Sequence, residues 1–174
     1  ALPRGRHAMT TVQEYDLEIA FPEAKAVIHF DDPAYHGNST MQRVDFVAEY
    51  EDRSVFVEIK DPDNPAAQNV LAFEQKLNSG KLVQSLSGKF RDTLFFRSIQ
   101  GKDDLSVVYV VLLSMQKLEA ALLLTKQDEL KKSIPIRHAD WARDCAASCI
   151  ILNVEQWKKR FGDQSIRRIS EGAA

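Results

Sequence analysis

Two apolar runs separated by a short polar interruption constrain the fold of this chain more than any other feature. Residues 44–60 read VDFVAEYEDRSVFVEIK, with β-branched and aromatic residues on both sides of the polar residues 51–54. Such residues favour strands, and a short polar interruption between two such runs is typical of a hairpin turn. The segment therefore predicts two antiparallel strands joined by a tight turn.

Three ionisable side chains lie in these predicted strands at the ends away from the turn, where a sheet core normally has none. They are Asp45 in the first strand and Glu58 and Lys60 in the second. With residues 52–53 as a two-residue loop, Asp45 pairs with Lys60, and Val47 pairs with Glu58. Side chains alternate along a strand, so all three ionisable residues are expected on one face. A one-residue bulge would separate them, which makes this prediction depend on the register.

Charged groups are unusual in the core of a strand. They cost free energy unless they pair with each other or bind a metal ion. Facing Asp and Glu oxygens suit a hard divalent cation such as Mg²⁺, and a neighbouring lysine can orient water or stabilise charge on a phosphate. The simpler alternative is a cross-strand ion pair between Asp45 and Lys60 on a solvated face.

An Asp followed about a dozen residues later by Glu-x-Lys on a hairpin resembles the motif of the PD-(D/E)XK, or restriction-endonuclease-like, superfamily. Here the motif is Asp45 with Glu58-Ile59-Lys60, and Val44 replaces the proline that often precedes the Asp. The resemblance implies catalytic roles for Asp45, Glu58 and Lys60. It also implies that Asp45, Glu58 and the main-chain carbonyl of Ile59 bind Mg²⁺ or Mn²⁺, and that the chain hydrolyses phosphodiester bonds.

The resemblance also implies an α/β fold with a central mixed sheet flanked by helices, in the order helix, three strands, helix, strand. Residues 10–20 are ambiguous, because Thr11 and Glu14 form a capping-box pattern whereas residues 15–19 alternate as a strand does. The superfamily order favours the helix. An acidic residue on the first helix often joins the metal site in that superfamily, which makes Glu14 or Glu18 a candidate ligand; a solvated charge is the alternative for each.

Two helices are predicted after the hairpin. Asn64 and Pro65 are typical of an N-cap and a first helical position. The buried positions of this first helix are expected to be Val70, Leu71, Phe73 and Leu77. A second helical pattern covers residues 82–95, with apolar positions that include Phe95.

The C-terminal half contains two further strands and two further helices. Residues 105–114 form a continuous apolar run, which predicts a strand buried on both faces and therefore interior to the sheet. Residues 118–132 predict a helix, and residues 149–152 predict a short buried strand. Asn153 is expected to cap a helix over residues 154–161.

One segment of the chain is basic. Between residues 76 and 102 there are six basic residues and a single acidic one. Because this segment follows the charged hairpin, Lys76, Lys81, Lys89 and Arg91 are candidate nucleic-acid-binding residues. The alternative is an ordinary solvated helix face.

Composition is that of an ordinary globular protein. The chain has 174 residues, 44% hydrophobic and 28% charged, with a formal net charge of −2. Residues 1–8 resemble the remnant of an expression tag, and residues 9–174 predict a single domain. The sequence contains no run of eighteen apolar residues, so no membrane span is predicted. The absence of a signal peptide favours the cytoplasm. His36, in the polar stretch 33–40, is expected on the surface.

The sequence therefore predicts a metal-dependent nuclease acting on DNA or RNA, with nucleic acid, DNA first, as its partner. Many members of the superfamily dimerise, so a homodimer is compatible with the resemblance. One alternative is a catalytically inactive member of the same fold that binds a protein or a nucleic acid. Another is an unrelated α/β interaction module whose hairpin carries only an ion pair.

Overall fold

The computed structural model describes residues 10–173. The predicted tag remnant, residues 1–8, lies outside this range. The strands are β1 (Thr10–Glu14), β2 (Leu17–Phe21), β3 (Ala26–His29), β4 (Phe46–Glu49), β5 (Arg53–Lys60), β6 (Ser106–Leu113), β7 (Ser148–Leu152) and β8 (Ile166–Arg168). The α-helices are α1 (Pro33–His36), α2 (Val70–Asn78), α3 (Lys81–Ile99), α4 (Ala120–Ser133) and α5 (Val154–Phe161). Short 3₁₀ turns cover Asp163–Ser165 and Ser170–Ala173.

A mixed sheet forms the centre of the described region. Its strands lie in the order β3-β4-β5-β6-β7, in which β4 is antiparallel to both β3 and β5, while β5, β6 and β7 are parallel. The predicted α/β class, a mixed sheet flanked by helices, is confirmed. Strands β3, β4 and β5, helix α3 and strand β6 follow the expected order, with the short helices α1 and α2 inserted and no helix before them. Strand β6 is interior to the sheet as its apolar sequence predicts.

The turn of the β4–β5 hairpin lies one residue earlier than predicted. The loop is residues 51–52, closed by a hydrogen bond from the Tyr50 N–H to the Arg53 carbonyl at 2.9 Å. The Arg53 guanidinium also lies over the Tyr50 ring, 4.5 Å from its centroid. This cation–π contact favours Tyr50 and Arg53 as opposite neighbours, and it draws Arg53 out of the turn and into the strand.

The earlier turn changes the strand register by two residues. Val47 pairs with Phe56 and not with Glu58, so the predicted pairing is wrong. A shift of two residues keeps each side chain on its original face, because side chains alternate with a period of two. Asp45, Glu58 and Lys60 therefore still share one face, and continuing the register puts Asp45 opposite Glu58 instead of opposite Lys60.

Residues 10–21 form a β-hairpin, so the predicted N-terminal helix is wrong. β1 and β2 pair antiparallel, and β8 adds to the other side of β2 to complete a three-stranded sheet. Leu17 and Ile19 are buried while Glu18 between them is not. The strand alternation therefore prevails over the capping-box pattern, because it buries a continuous apolar face against the main sheet.

The two faces of the main sheet have separate cores. One core, which includes Phe56, Phe90 and Tyr109, lies beneath α3 and α4. The other, which includes Val57 and Trp157, joins the main sheet to α5 and the three-stranded sheet. Alternation along β5 therefore directs the even-numbered residues, Glu58 and Lys60 among them, towards α3.

The helix predicted to begin at Pro65 begins at Val70 instead. The Asn64 side chain accepts a hydrogen bond from the Ala66 N–H at 3.0 Å, which is a turn and not a helix cap. Leu71, predicted as buried, is 75% exposed, whereas Leu77 is buried as expected. Residues 61–69 thus form an irregular segment after the end of β5.

Four later elements, α3, α4, β7 and α5, agree with their predicted positions, whereas α1 and β8 were not predicted. Helix α3 covers the second helical pattern, although Phe95 is exposed and not part of the buried stripe. Helix α4 and strand β7 lie within two residues of the expected bounds. Asn153 caps α5 in a complete capping box with Gln156.

Arg168, in β8, forms ion pairs with residues from two other parts of the chain. Its guanidinium donates to both carboxylate oxygens of Asp61 at 3.0 and 2.9 Å, and to Asp16 at 3.3 Å. Asp16 also accepts from Ser170. One arginine therefore joins the end of β5 to the β1–β2 turn. Within residues 10–173, no helix has the length and apolarity needed to cross a membrane.

Candidate active site

Asp45 is held at the start of β4 by a bond across the hairpin. Its Oδ2 accepts a hydrogen bond from the Ile59 N–H at 2.7 Å, and its own carbonyl accepts from the Phe30 N–H at 2.8 Å. The carboxylate thus replaces a backbone carbonyl as the partner of β5. This bond orients Asp45 towards the residues on either side of Ile59.

In the same region, the β4–β5 ladder lacks the backbone hydrogen bond that would reach the Ile59 carbonyl. The Val44 N–H, which the register would direct to that carbonyl, instead donates to Thr93 Oγ1 at 3.1 Å. Thr93 is a fully buried residue of α3. The Ile59 carbonyl is therefore left without this cross-strand partner and can act as a ligand.

Glu58 is the most enclosed charged group of the site. It is 0% exposed, and its Oε1 accepts hydrogen bonds from Lys60 Nζ at 2.9 Å and from Lys89 Nζ at 2.6 Å. Its Oε2 is buried and has no hydrogen-bond partner within the described residues. A buried carboxylate oxygen without a donor is costly, and such atoms occur where a protein binds an ion or a water molecule.

Burial and mutual repulsion strongly perturb the Asp45 carboxyl group. Burial is the largest cause that raises the pKa of Asp45, which is about 8, and repulsion from the Glu58 charge adds to it. The hydrogen bond from the Ile59 N–H and the Lys89 charge lower this pKa in part. Without an added cation, Asp45 is therefore mainly protonated at neutral pH. A bound divalent cation would favour the ionised form.

The Lys60 ammonium remains charged despite its enclosure. Burial acts against the charged form, but attraction to Glu58, a hydrogen bond to Glu58 and attraction to Asp45 together raise the pKa of Lys60. At neutral pH, Lys60 is consequently a donor of hydrogen bonds and positive charge, and not a proton acceptor.

The donor set fits a magnesium-type ion. Asp45 and Glu58 face each other, Glu58 retains a free buried oxygen, and the Ile59 carbonyl follows Glu58 directly in the sequence. Mg²⁺ commonly takes one or two protein carboxylates and keeps several waters. Among the described residues, no cluster of three or more His, Cys, Asp and Glu side chains is arranged to hold a metal.

The structure separates the two candidates for an additional acidic ligand. Glu18, in β2, forms an ion pair with Arg167 at 2.6 Å and points away from the Asp45–Glu58 pair, so its proposed metal role has no geometric basis. Glu14, at the end of β1, lies closer: burial raises its pKa, and repulsion from Glu58 adds to the shift although His29 opposes it. The hairpin in place of the expected helix explains this difference, because alternation directs the two residues differently.

Lys89 was expected on a nucleic-acid-binding surface and instead contacts Glu58 from helix α3. It lies on the same helix face as Leu82, Leu86 and Thr93, all of which are buried. The sequence indicated this inward position of Lys89, because the helical pattern places it among residues that are buried. Nothing in the sequence alone could identify Glu58 as its partner.

The other basic candidates remain outside the site. Lys76 and Lys81 are exposed near the junction of α2 and α3, where they are accessible to a ligand. Arg91 is exposed too, but its guanidinium donates to the Ser133 carbonyl at the end of α4 at 3.1 Å. Lys76 and Lys81 are therefore better placed than Arg91 to meet a phosphate backbone.

His36 is buried and not at the surface as predicted. It ends the short helix α1, and its ring packs against Phe30 and Phe96 with centroids 4.7 and 4.4 Å apart. Burial, followed by repulsion from Arg43, lowers the pKa of His36. Its role is to complete an aromatic cluster beside α3.

No protein-family model matches the chain, and no curated protein matches it. A solved structure that is similar is the small subunit of the heterodimeric restriction endonuclease R.BspD6I, with a TM-score of 0.42 and 18% sequence identity. The match covers 81% of this chain and 60% of that subunit. A likeness at this level assigns no activity to the chain.

Proposed function

We propose that this chain is a nuclease that hydrolyses phosphodiester bonds in DNA, or in RNA, with a divalent cation as cofactor. The observation that supports this most directly is the Asp45–Glu58 pair, two enclosed carboxyl groups on facing strands, one of which has a free buried oxygen. The charge of Glu58 raises the free-energy cost of ionising Asp45 unless a cation joins the two groups. Perturbed acids of this kind are typical of functional sites.

In this proposal Asp45, Glu58 and the Ile59 carbonyl hold Mg²⁺ or Mn²⁺. When bound, the ion would supply Lewis-acid polarisation of the phosphate and of the attacking water. The Asp45 carboxyl group loses its proton when the site is filled. Glu58 keeps its contact with Lys60, so this ammonium stays beside the reacting phosphate.

The two lysines have different tasks. Lys60, charged at neutral pH, orients the attacking water by a hydrogen bond. Lys89 reaches the site from α3 and stabilises negative charge on a non-bridging phosphate oxygen. The water oxygen forms the new bond to phosphorus and the bond from phosphorus to the sugar oxygen breaks. The proton released by the water passes to solvent, and solvent protonates the leaving oxygen.

A second candidate is a non-catalytic module of the same fold that binds nucleic acid or protein. The contact of Glu58 Oε1 with both lysines favours it, because the charge of the carboxylate is already neutralised without a metal. In that case the charged cluster is a buried ion-pair network that serves only stability. The exposed Lys76 and Lys81 would still be available to phosphates.

Calorimetry with Mn²⁺ and a cleavage assay separate the two candidates. Asp45→Asn preserves an oxygen acceptor for the Ile59 N–H but removes the ligand charge. Asp52→Asn, in the exposed turn of the same hairpin, is the matched control. For a nuclease, the wild-type chain and Asp52→Asn bind Mn²⁺ and cleave DNA, while Asp45→Asn loses cleavage by at least about a hundredfold.

Two results would contradict the nuclease proposal. One is full cleavage by Asp45→Asn, which would mean that the ion is held elsewhere. The other is a wild-type chain that binds DNA but neither binds Mn²⁺ nor cleaves, which would support the non-catalytic module.

A further inference from the structure

A cavity of about 400 Å³ opens beside the candidate active site. It lies between the β1–β2 turn and the irregular segment 61–69, and Ile59 and Lys60 form part of its wall. Its size is at the lower end of the range for small-molecule pockets and too small for a base pair with its backbone. Whatever fills this cavity therefore lies next to the Lys60 ammonium.

The walls of the cavity offer two aromatic rings, Tyr15 and Phe73. Tyr15 is 68% exposed and sits in the turn with a φ of +52°. Positive φ is unfavourable for a bulky residue, and such turns favour Asn or Gly. Neither burial nor turn geometry accounts for a tyrosine here, whereas a partner that stacks on the exposed ring does.

Polar groups of the cavity can reach the edge of a base. Gln68 is exposed with its amide available. Asn64 also lines the cavity, and because its Oδ1 already accepts from Ala66, its amide N–H₂ group is left to donate. Donors and acceptors on flexible amides accommodate several bases without strict sequence preference.

The one acidic residue of the wall does not oppose an anionic ligand. Asp61 lines the cavity, but both its carboxylate oxygens are bound by Arg168 at 3.0 and 2.9 Å. Its side chain is 1% exposed. Lys60, whose ammonium also contacts Glu58, is therefore the cationic residue of the wall where the cavity adjoins the active site.

From this geometry we infer that the cavity binds one unpaired nucleobase, stacked on Tyr15, next to the phosphate at Lys60. The inference rests on the proposed function and narrows its substrate to single-stranded or locally unpaired nucleic acid. A base within a duplex cannot enter, because it would first have to leave its stack. Stacking of exposed bases on aromatic side chains is a common mode of single-strand binding.

Fluorescence anisotropy in EDTA tests this inference without cleavage. The probes are a labelled single-stranded DNA oligonucleotide of mixed sequence and the blunt duplex of the same sequence. Tyr15→Ala is expected to weaken single-strand binding about tenfold or more, and Tyr15→Trp to preserve it. Duplex binding should not change. Trp141→Ala, which removes an exposed aromatic side chain outside the cavity, is the matched control and should change neither.

The inference is overturned if Tyr15→Ala binds the single strand as tightly as the wild type, or if it weakens single strand and duplex equally. Urea unfolding of each variant shows that the fold is retained. Loss of single-strand binding in Tyr15→Ala, combined with a wild-type chain that never cleaves, supports the inference and defeats the nuclease proposal. Metal-dependent cleavage that Tyr15→Ala leaves intact on both substrates, with unchanged binding, defeats the inference alone.

Discussion

Replacing Asp45 by Asn is expected to stabilise the protein, by an amount that grows with pH. The pKa of Asp45 in the folded state is about 8, against an ordinary value of 3.8 that the unfolded chain retains. Between these two values the folded state holds a proton that the unfolded state has released. The free energy of unfolding of the wild type therefore falls as pH rises through this window and is constant above about pH 8.

The size of the effect follows from the separation of the two pKa values. Each pKa unit corresponds to about 1.4 kcal/mol, so the full penalty approaches about 6 kcal/mol at high pH. The burial of Asp45, 6% exposed, supports a shift of this order. Between pH 5 and pH 8 the advantage of Asp45→Asn over the wild type should grow by about 4 kcal/mol.

Urea unfolding at pH 5, 6.5 and 8, with EDTA present, measures this directly. The variant keeps an amide oxygen as acceptor for the Ile59 N–H, so the hairpin itself is not weakened. Asp52→Asn, whose side chain is 73% exposed in the wild type, should follow the wild-type pH dependence. Parallel pH curves for the wild type and Asp45→Asn would refute the reasoning, because they would mean that Asp45 titrates alike in both states.

Two further predictions concern the buried ion pairs. Glu58→Gln should lower the free energy of unfolding by about 2 kcal/mol in urea at pH 7, because Lys60 and Lys89 lose the buried carboxylate that they share. An unchanged unfolding midpoint would contradict this, because it would mean that loss of the carboxylate costs the two lysines no free energy. Arg168→Met should cost about 3 kcal/mol by leaving Asp61 buried and unpaired, and Asp61→Asn in the same background should recover part of the loss; an additive double variant would contradict this coupling.

The parts of the fold that local sequence pattern determines were predictable. The apolar run of β6 gave its interior position because only a strand covered on both faces can be apolar throughout. Asn153 gave the start of α5 because its side chain satisfies the free N–H groups of the first turn. The failures lie where two local patterns compete, as at Thr11 and Glu14, where the strand buried more apolar area than a short helix could.

The candidate site was predictable in composition but not in its contacts. Side-chain alternation alone brings Asp45, Glu58 and Lys60 to one face, and this remained true although the register was wrong, since the shift was an even number of residues. The position of Lys89 beside Glu58 depends on how α3 crosses the sheet. Residues 31 positions apart in the chain have no local pattern that relates them.

The sequence by itself determined the strands of the hairpin, the interior strand, the main helices and the face on which the acids lie, because each depends on a period of two or of 3.6 residues along one segment. The tertiary structure alone decided which groups meet: the second lysine on Glu58, the arginine on Asp61, and the cavity between the N-terminal turn and segment 61–69. Those contacts arise from packing between distant segments, and a period along one segment carries no information about which other segment lies against it.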